Sequence, residues 1–180
     1  MATDMARPPR LRNFDYVGLY RYFLTFCSEG RARILTEQSV FQLISAQLRS
    51  SADVHGMAVD AYCVMPDHVH LLARGMAENC ELRPFMKDLK QRTGYEFSKA
   101  SRGRLWQRDY YEHVLREEDE DAGVIAYIVN NPLRAGLVRS PQDYQYWGSL
   151  EWTREQILDF IADIPEWEPP YGRQRRHDQT

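Results

Sequence analysis

The chain has 180 residues, 43% hydrophobic and 27% charged, a length and composition that predict one soluble domain with a real core. No run of 18 apolar residues is present, which excludes a membrane-spanning helix. The opening stretch MATDMARPPRLRNFD lacks the apolar centre of a signal peptide, so a cytoplasmic location is expected. The net charge of −3 argues against general nucleic-acid affinity.

The distribution of charge argues the other way. Of 23 basic residues, 20 are Arg, whose planar fork grips phosphate in a way Lys does not. Residues 81–108 hold eight basic side chains against three acidic, while acids gather in EEDED at 117–121 and over 151–168. Such a strip suits a phosphate backbone, although a charge run also describes an ordinary solvated face. Cys27, Cys63 and Cys80 are far apart with no CxxC pair, which argues for a reducing compartment and against a zinc–thiolate site.

Residues 1–15 read as a flexible lead-in rich in Arg and Pro. YRYFLTFCSE (20–29) alternates large apolar and small polar residues, a strand pattern. Residues 36–50 read as a helix capped by Thr36, with Val40, Leu43, Ile44 and Leu48 on one face. MAVDAYCVM (57–65) and HVHLLARG (68–75) read as two strands joined by a Pro66-Asp67 turn. Residues 81–100 place Leu82, Phe85, Met86 and Leu89 inward and the basic strip outward. DYYEHVLRE (109–117) reads as a fourth strand. DEDAGVIAYIVN (119–130) reads as a third helix whose acids suit its N-terminus, ending near Pro132. The remainder from Pro141 reads as a wrapped tail or a short helix, with residues 150–180 expected as a tail behind a domain spanning 16–149.

The order β-α-β-β-α-β predicts an α+β fold: the ferredoxin-like split βαβ, an antiparallel sheet with an extra C-terminal helix. The first and third strands would be central, with both early helices on one sheet face and the other face open. Strand residues two apart point the same way. His68 and His70 therefore share a face, opposite Val69 and Leu71, and are expected to look out from the open side, where the third helix is left over to pack beside them.

Two imidazoles at this spacing can hold one divalent ion, although His-x-His alone also describes two structural histidines. The third helix places Tyr127 and Asn131 one turn apart. An amide oxygen beside two imidazoles, with no thiolate or carboxylate, suits Mg2+ or Mn2+ that also holds a phosphate oxygen. Tyr127 would then be the nucleophile. By periodicity alone Tyr127 reads as a core aromatic with Val124 and Ile128, and Asn131 as a helix end that Pro132 pushes out of helical geometry.

The three segments YCVMPDHVHLLA, LWQRDYYEHVLR and YIVNNPLRAGLV, in this order and spacing, resemble the REP-associated tyrosine transposases. These belong to the IS200-like transposases of the HUH endonuclease superfamily. The resemblance covers residues 16–149. It implies a single-stranded DNA endonuclease and strand transferase acting beside REP-type hairpins. Tyr127 would attack to form a 5′-phosphotyrosine link, and His68, His70 and Asn131 would be the metal ligands. The basic helix (Lys87, Lys90, Arg92, Lys99) and Arg102, Arg104 and Arg108 are candidates for hairpin phosphates, with Trp106 and Tyr110 stacking on unpaired bases. For both aromatics, core packing is the competing assignment. His113 stands between a supporting role at the site and a structural one. The resemblance implies a monomer, with a homodimer as the alternative. The rival functions are a hairpin-binding ferredoxin-like module without nicking, and a hydrolase whose nucleophile is water.

Overall fold

A computed structural model describes residues 15–101, 103–116, 121–165 and 167–169. The elements run β1 (Arg21–Cys27), α1 (Gln38–His55), β2 (Met57–Val64), β3 (His68–Gly75), α2 (Leu82–Ser101), β4 (Tyr111–Val114), α3 (Asp121–Val129), α4 (Asn131–Arg134), β5 (Trp147–Gly148) and α5 (Arg154–Ile161). The sheet order is β4-β1-β3-β2-β5, every neighbour antiparallel. β1 and β3 are central, the arrangement of the split βαβ. A two-residue fifth strand is added beside β2.

Alternation along the central strands builds two cores. Tyr22, Leu24 and Phe26 of β1 and Val69, Leu71 and Ala73 of β3 point to one face, where Ile44 and Leu48 of α1 and Phe85 and Leu89 of α2 cover them. Phe23 and Leu72 point to the other face. There Val124 and Ile128 of α3, Ile157 and Ile161 of α5 and Trp147 of β5 close over them. The expected open face is therefore filled, because residues after 140 supply apolar groups that the short segments did not advertise as elements. Part of the expected tail is accordingly a packed helix, α5, begun by a capping box between Thr153 and Gln156.

A bulge in β2 reconciles that strand with both cores. Its register steps from Val59↔Ala73 to Ala61↔Leu72, leaving Asp60 as the extra residue. Val59 thus lies in the first core and Ala61 in the second, although they are two apart. Asp60 is buried, and Arg74 Nε donates to both its carboxylate oxygens at 3.1 and 3.0 Å.

Helix ends differ from the sequence expectation where caps compete. α1 starts at Gln38 with Glu37 at the cap position in place of Thr36, and closes on Gly56 in the left-handed conformation (φ 62). Beyond α3 the chain stays helical through Asn130 (φ −84, ψ −1), whose N–H still bonds Ala126. Pro132 lacks an N–H, so the ladder is interrupted and restarts as α4, with Arg134 bonding Asn130. Asn131 consequently keeps its place one turn beyond Tyr127, and Pro132 does not displace it.

Gly75, at the end of β3, lies so close to the backbone of Gly18 that a Cβ would collide with the Gly18 carbonyl. Replacing Gly75 by Ala is expected to cost about 1–3 kcal/mol, the usual range for overpacking against an unyielding neighbour. Urea unfolding of the two proteins measures this, and equal midpoints would show that residues 15–18 give way freely.

Candidate active site

β3 begins at His68, immediately after the Pro66-Asp67 turn, so the first and third strand positions carry the two imidazoles on the second sheet face. Their Nε2 atoms face one another at 3.2 Å, with the rings at 86°. Two ligands about 2.1 Å from one ion, at an angle somewhat above 90°, stand about 3 Å apart. The spacing therefore fits a shared divalent ion.

The other nitrogen of each ring is held. Asp67 Oδ1 lies 2.7 Å from His68 Nδ1. A carboxylate only accepts, so the proton between them sits on Nδ1, and Nε2 is the atom turned toward His70. The hydrogen bond from His68, joined by the charges of His68 and Arg31, holds the Asp67 carboxyl below its ordinary range against the effect of burial. Thr25 Oγ1, across the strand pair, lies 2.9 Å from His70 Nδ1. Burial, assisted by the charges of His68 and Arg134, pushes His70 well below the usual imidazole range. His70 is thus neutral at pH 7, as a ligand must be.

Asn131 lies beside the histidine pair. Its Nδ2 donates to the Tyr127 carbonyl at 2.8 Å, and its side chain also hydrogen-bonds His70. With the amide nitrogen committed to the helix, Oδ1 is the atom presented to the imidazoles. Among the described residues no group of three or more His, Cys, Asp or Glu side chains is placed to share an ion. The third polar side chain beside the pair is the Asn131 amide.

Tyr127 packs beside this cluster. Its ring centroid is 5.7 Å from those of His70 and Phe23 and 5.9 Å from that of Trp167. The Arg134 guanidinium lies 4.3 Å from the ring centroid. Only 4% of Tyr127 is exposed. His113 also packs against Trp167, at 5.6 Å.

The structure does not bring the basic helix to this face, because α2 covers the opposite side of the sheet. Lys87 and Arg108 are exposed, as is Arg104, whose Nε is 3.9 Å from Glu29. Arg92 pairs with Asp88 at 2.7 Å, and Lys99 pairs with Glu96 at 2.9 Å. Two candidates turn inward. Lys90 Nζ donates to the carbonyls of Gln107, Arg108 and Asp109 at 3.0–3.2 Å, tying α2 to the loop before β4. Burial lowers its pKa to about 8. Trp106 is buried against Phe26, and its Nε1 donates to Thr93 Oγ1 at 2.7 Å. Trp106 completes the first core, while Lys90 is half-buried with its ammonium spent on the three carbonyls; Tyr110 lies half-buried with Lys90 over its ring. Arg102 lies outside the described residues.

Thr25, Asp67, Arg134 and Trp167 surround the candidate site, and of these the sequence draws attention only to Asp67, beside the histidine motif. Arg134 carried a readable signal, since 127, 131 and 134 follow helical spacing. Asp67 was explained by its turn alone. Trp167 carried none.

Comparison with known proteins agrees with this frame: a ferredoxin-like sheet with a histidine pair on its central strand and a tyrosine helix across the same face. The family described as "Transposase IS200 like" matches residues 16–131. The chain therefore belongs to the IS200-like transposase family. It is similar to a Haemophilus influenzae protein bearing the provisional name of REP-associated tyrosine transposase, with 26% identity over 75% of this chain and 81% of the relative. A second protein of that organism, of no stated function, is 22% identical over 71% of this chain and 88% of its own. The solved structure of a REP-associated tyrosine transposase bound to a REP hairpin aligns with a TM-score of 0.64, covering 78% of this chain and 82% of that one. At 19% identity that likeness speaks for the fold.

The burial of His70 has a pH signature. Its folded pKa is depressed, so below about pH 6.5 the unfolded chain binds a proton that the folded protein refuses. In chelator, stability is expected to fall as pH drops from 6.5 to 5, by up to about 1.4 kcal/mol per pH unit from this group. His70→Gln should flatten that slope. Urea midpoints at pH 5 and 7.5 test this, and parallel profiles would exclude His70 as the source.

Proposed function

We propose that this protein is a single-stranded DNA endonuclease and strand transferase that cuts beside hairpins of the REP type, using Tyr127 as nucleophile and a divalent ion. The observation that carries the reading is the convergence of the His68 and His70 Nε2 atoms at 3.2 Å, with Tyr127 packed against His70 across the same sheet face. His68, His70 and Asn131 would hold Mg2+ or Mn2+. When bound, the ion would polarise the scissile phosphate as a Lewis acid.

The chain's own groups do the rest. Tyr127 Oη forms a bond to phosphorus while the bond from phosphorus to the 3′ oxygen breaks. The phenol's proton is balanced by the one gained by the released 3′-hydroxyl. The product is a 5′-phosphotyrosine link, which an incoming 3′-hydroxyl can attack in turn, transferring the strand. Arg134, over the Tyr127 ring, places a positive charge where negative charge develops. Exposed Lys87, Arg104 and Arg108, with Arg92 and Lys99 on their ion pairs, remain the candidates for hairpin phosphates. The hairpin partner is carried over from the solved REP-bound relative. We take the protein to act as a monomer in the cytoplasm; among the described residues no helix is long and apolar enough to cross a membrane.

The alternative, a hairpin-binding module without nicking, draws on one observation, the 4% exposure of Tyr127. A labelled single-stranded hairpin oligonucleotide from palindromes flanking the gene, incubated with Mn2+ and run on a denaturing gel, separates the two. A covalent protein–DNA band is expected that disappears with chelator and in Tyr127→Phe. Binding with no cleavage across several hairpins would favour the binding module. Cleavage surviving in Tyr127→Phe would assign the attack to water.

A further inference from the structure

We propose that Arg31 is a positioning residue of this site: from a left-handed backbone, its guanidinium fixes the Asp67 carboxylate, which orients His68. The inference rests on the metal-dependent reading above and adds a residue 37 positions away in the chain.

The loop between β1 and α1 folds over the turn that precedes His68. The backbone N–H of Ser28 donates to the Asp67 carbonyl at 3.0 Å, and its hydroxyl donates to the Ala32 carbonyl at 2.7 Å with the Asp67 carbonyl 3.1 Å away. Leu35 N–H donates to the Pro66 carbonyl at 2.9 Å. Between these stitches lie Gly30 and Arg31, both with φ 58. Glycine adopts that conformation freely, whereas an arginine is strained there. A strained residue persists where its surroundings over-determine it, and here its side chain supplies the reason.

Arg31 Nε lies 3.0 Å from Asp67 Oδ2, and Nη1 donates to Cys27 Sγ at 2.7 Å. The other carboxylate oxygen, Oδ1, meets His68 Nδ1 at 2.7 Å. The two oxygens of one carboxylate are thus divided between a guanidinium and an imidazole. Fixed at both ends, the carboxylate sets both the tautomer and the ring plane of His68, so that Nε2 points at its counterpart on His70. Lysine would supply a single point charge and could not hold Cys27 and Asp67 in one plane. Arg31 is a third exposed, so a direct role against DNA phosphate is the competing assignment, and a test without DNA separates the two.

The full-length protein, stripped with chelator, is titrated with Mn2+ alone by calorimetry, alongside Arg31→Gly, Arg31→Lys and His68→Ala. Melting temperatures are read in chelator, and the His68 tautomer is read by nitrogen-15 NMR of the metal-free protein. Uptake abolished in His68→Ala locates the ion. Arg31→Gly is expected to raise the Mn2+ dissociation constant about tenfold. Because glycine relieves the backbone, its melting temperature should stay within about 3 °C of the wild type. Arg31→Lys should not restore the affinity. Unchanged affinity in Arg31→Gly, or full affinity in Arg31→Lys, overturns the role. A wild type that takes up no Mn2+ refutes the metal-dependent function, and the tautomer then decides this inference. A single Nδ1-protonated form in the wild type that becomes mixed in Arg31→Gly supports it, and identical spectra overturn it.

Discussion

The pairing of β1 with β3 is the interaction on which the rest depends. Its register sets Thr25 opposite His70 and Cys27 opposite His68. One antiparallel ladder therefore supplies the centre of both cores and one of the two supports of the histidine pair. Strand periodicity turns that ladder into a sorting device: one parity of residues feeds the core under α1 and α2, the other feeds the face that carries the chemistry.

The second face works because its two halves differ. Toward one end, Phe23, Leu72, α3 and α5 exclude water. Toward the other, His68, His70 and Asn131 each have a polar partner, with the rings of Phe23 and Tyr127 against His70. Burial makes His70 neutral, and the amide and hydroxyl beside it keep its nitrogens satisfied. The same low-dielectric wall that would penalise an unpaired polar group strengthens each bond that is made.

Much of this was legible in the chain. The bounds of β3, the split βαβ order and the common face of His68 and His70 follow from period-two alternation and a Pro-Asp turn. The one-turn relation of Tyr127 to Asn131 follows from helical spacing. The filling of the second face by β5 and α5, beside α3, was not legible. Each piece after residue 140 is short, and its apolar groups acquire meaning only beside the sheet. The fates of Lys90 and Trp106 were hidden for a related reason. A basic or aromatic residue looks the same in sequence whether it faces solvent or closes a core, and the three carbonyls that capture Lys90 belong to a loop whose path tertiary packing sets. Asp67 was visible, but its turn chemistry was reason enough for its presence until Nδ1 of His68 was seen against it.

The bulge at Asp60 has a consequence for how such a chain can diverge. β2 carries its one irregular residue where Val59 serves one core and Ala61 the other. β1 and β3 carry none along their shared register. A gained or lost residue can be absorbed in β2 by moving or erasing the bulge. In β1 the same event would exchange the two cores and carry Thr25 away from His70. Length variation among descendants of this sequence should therefore accumulate in β2 and the outer loops, while the two central strands drift by substitution alone.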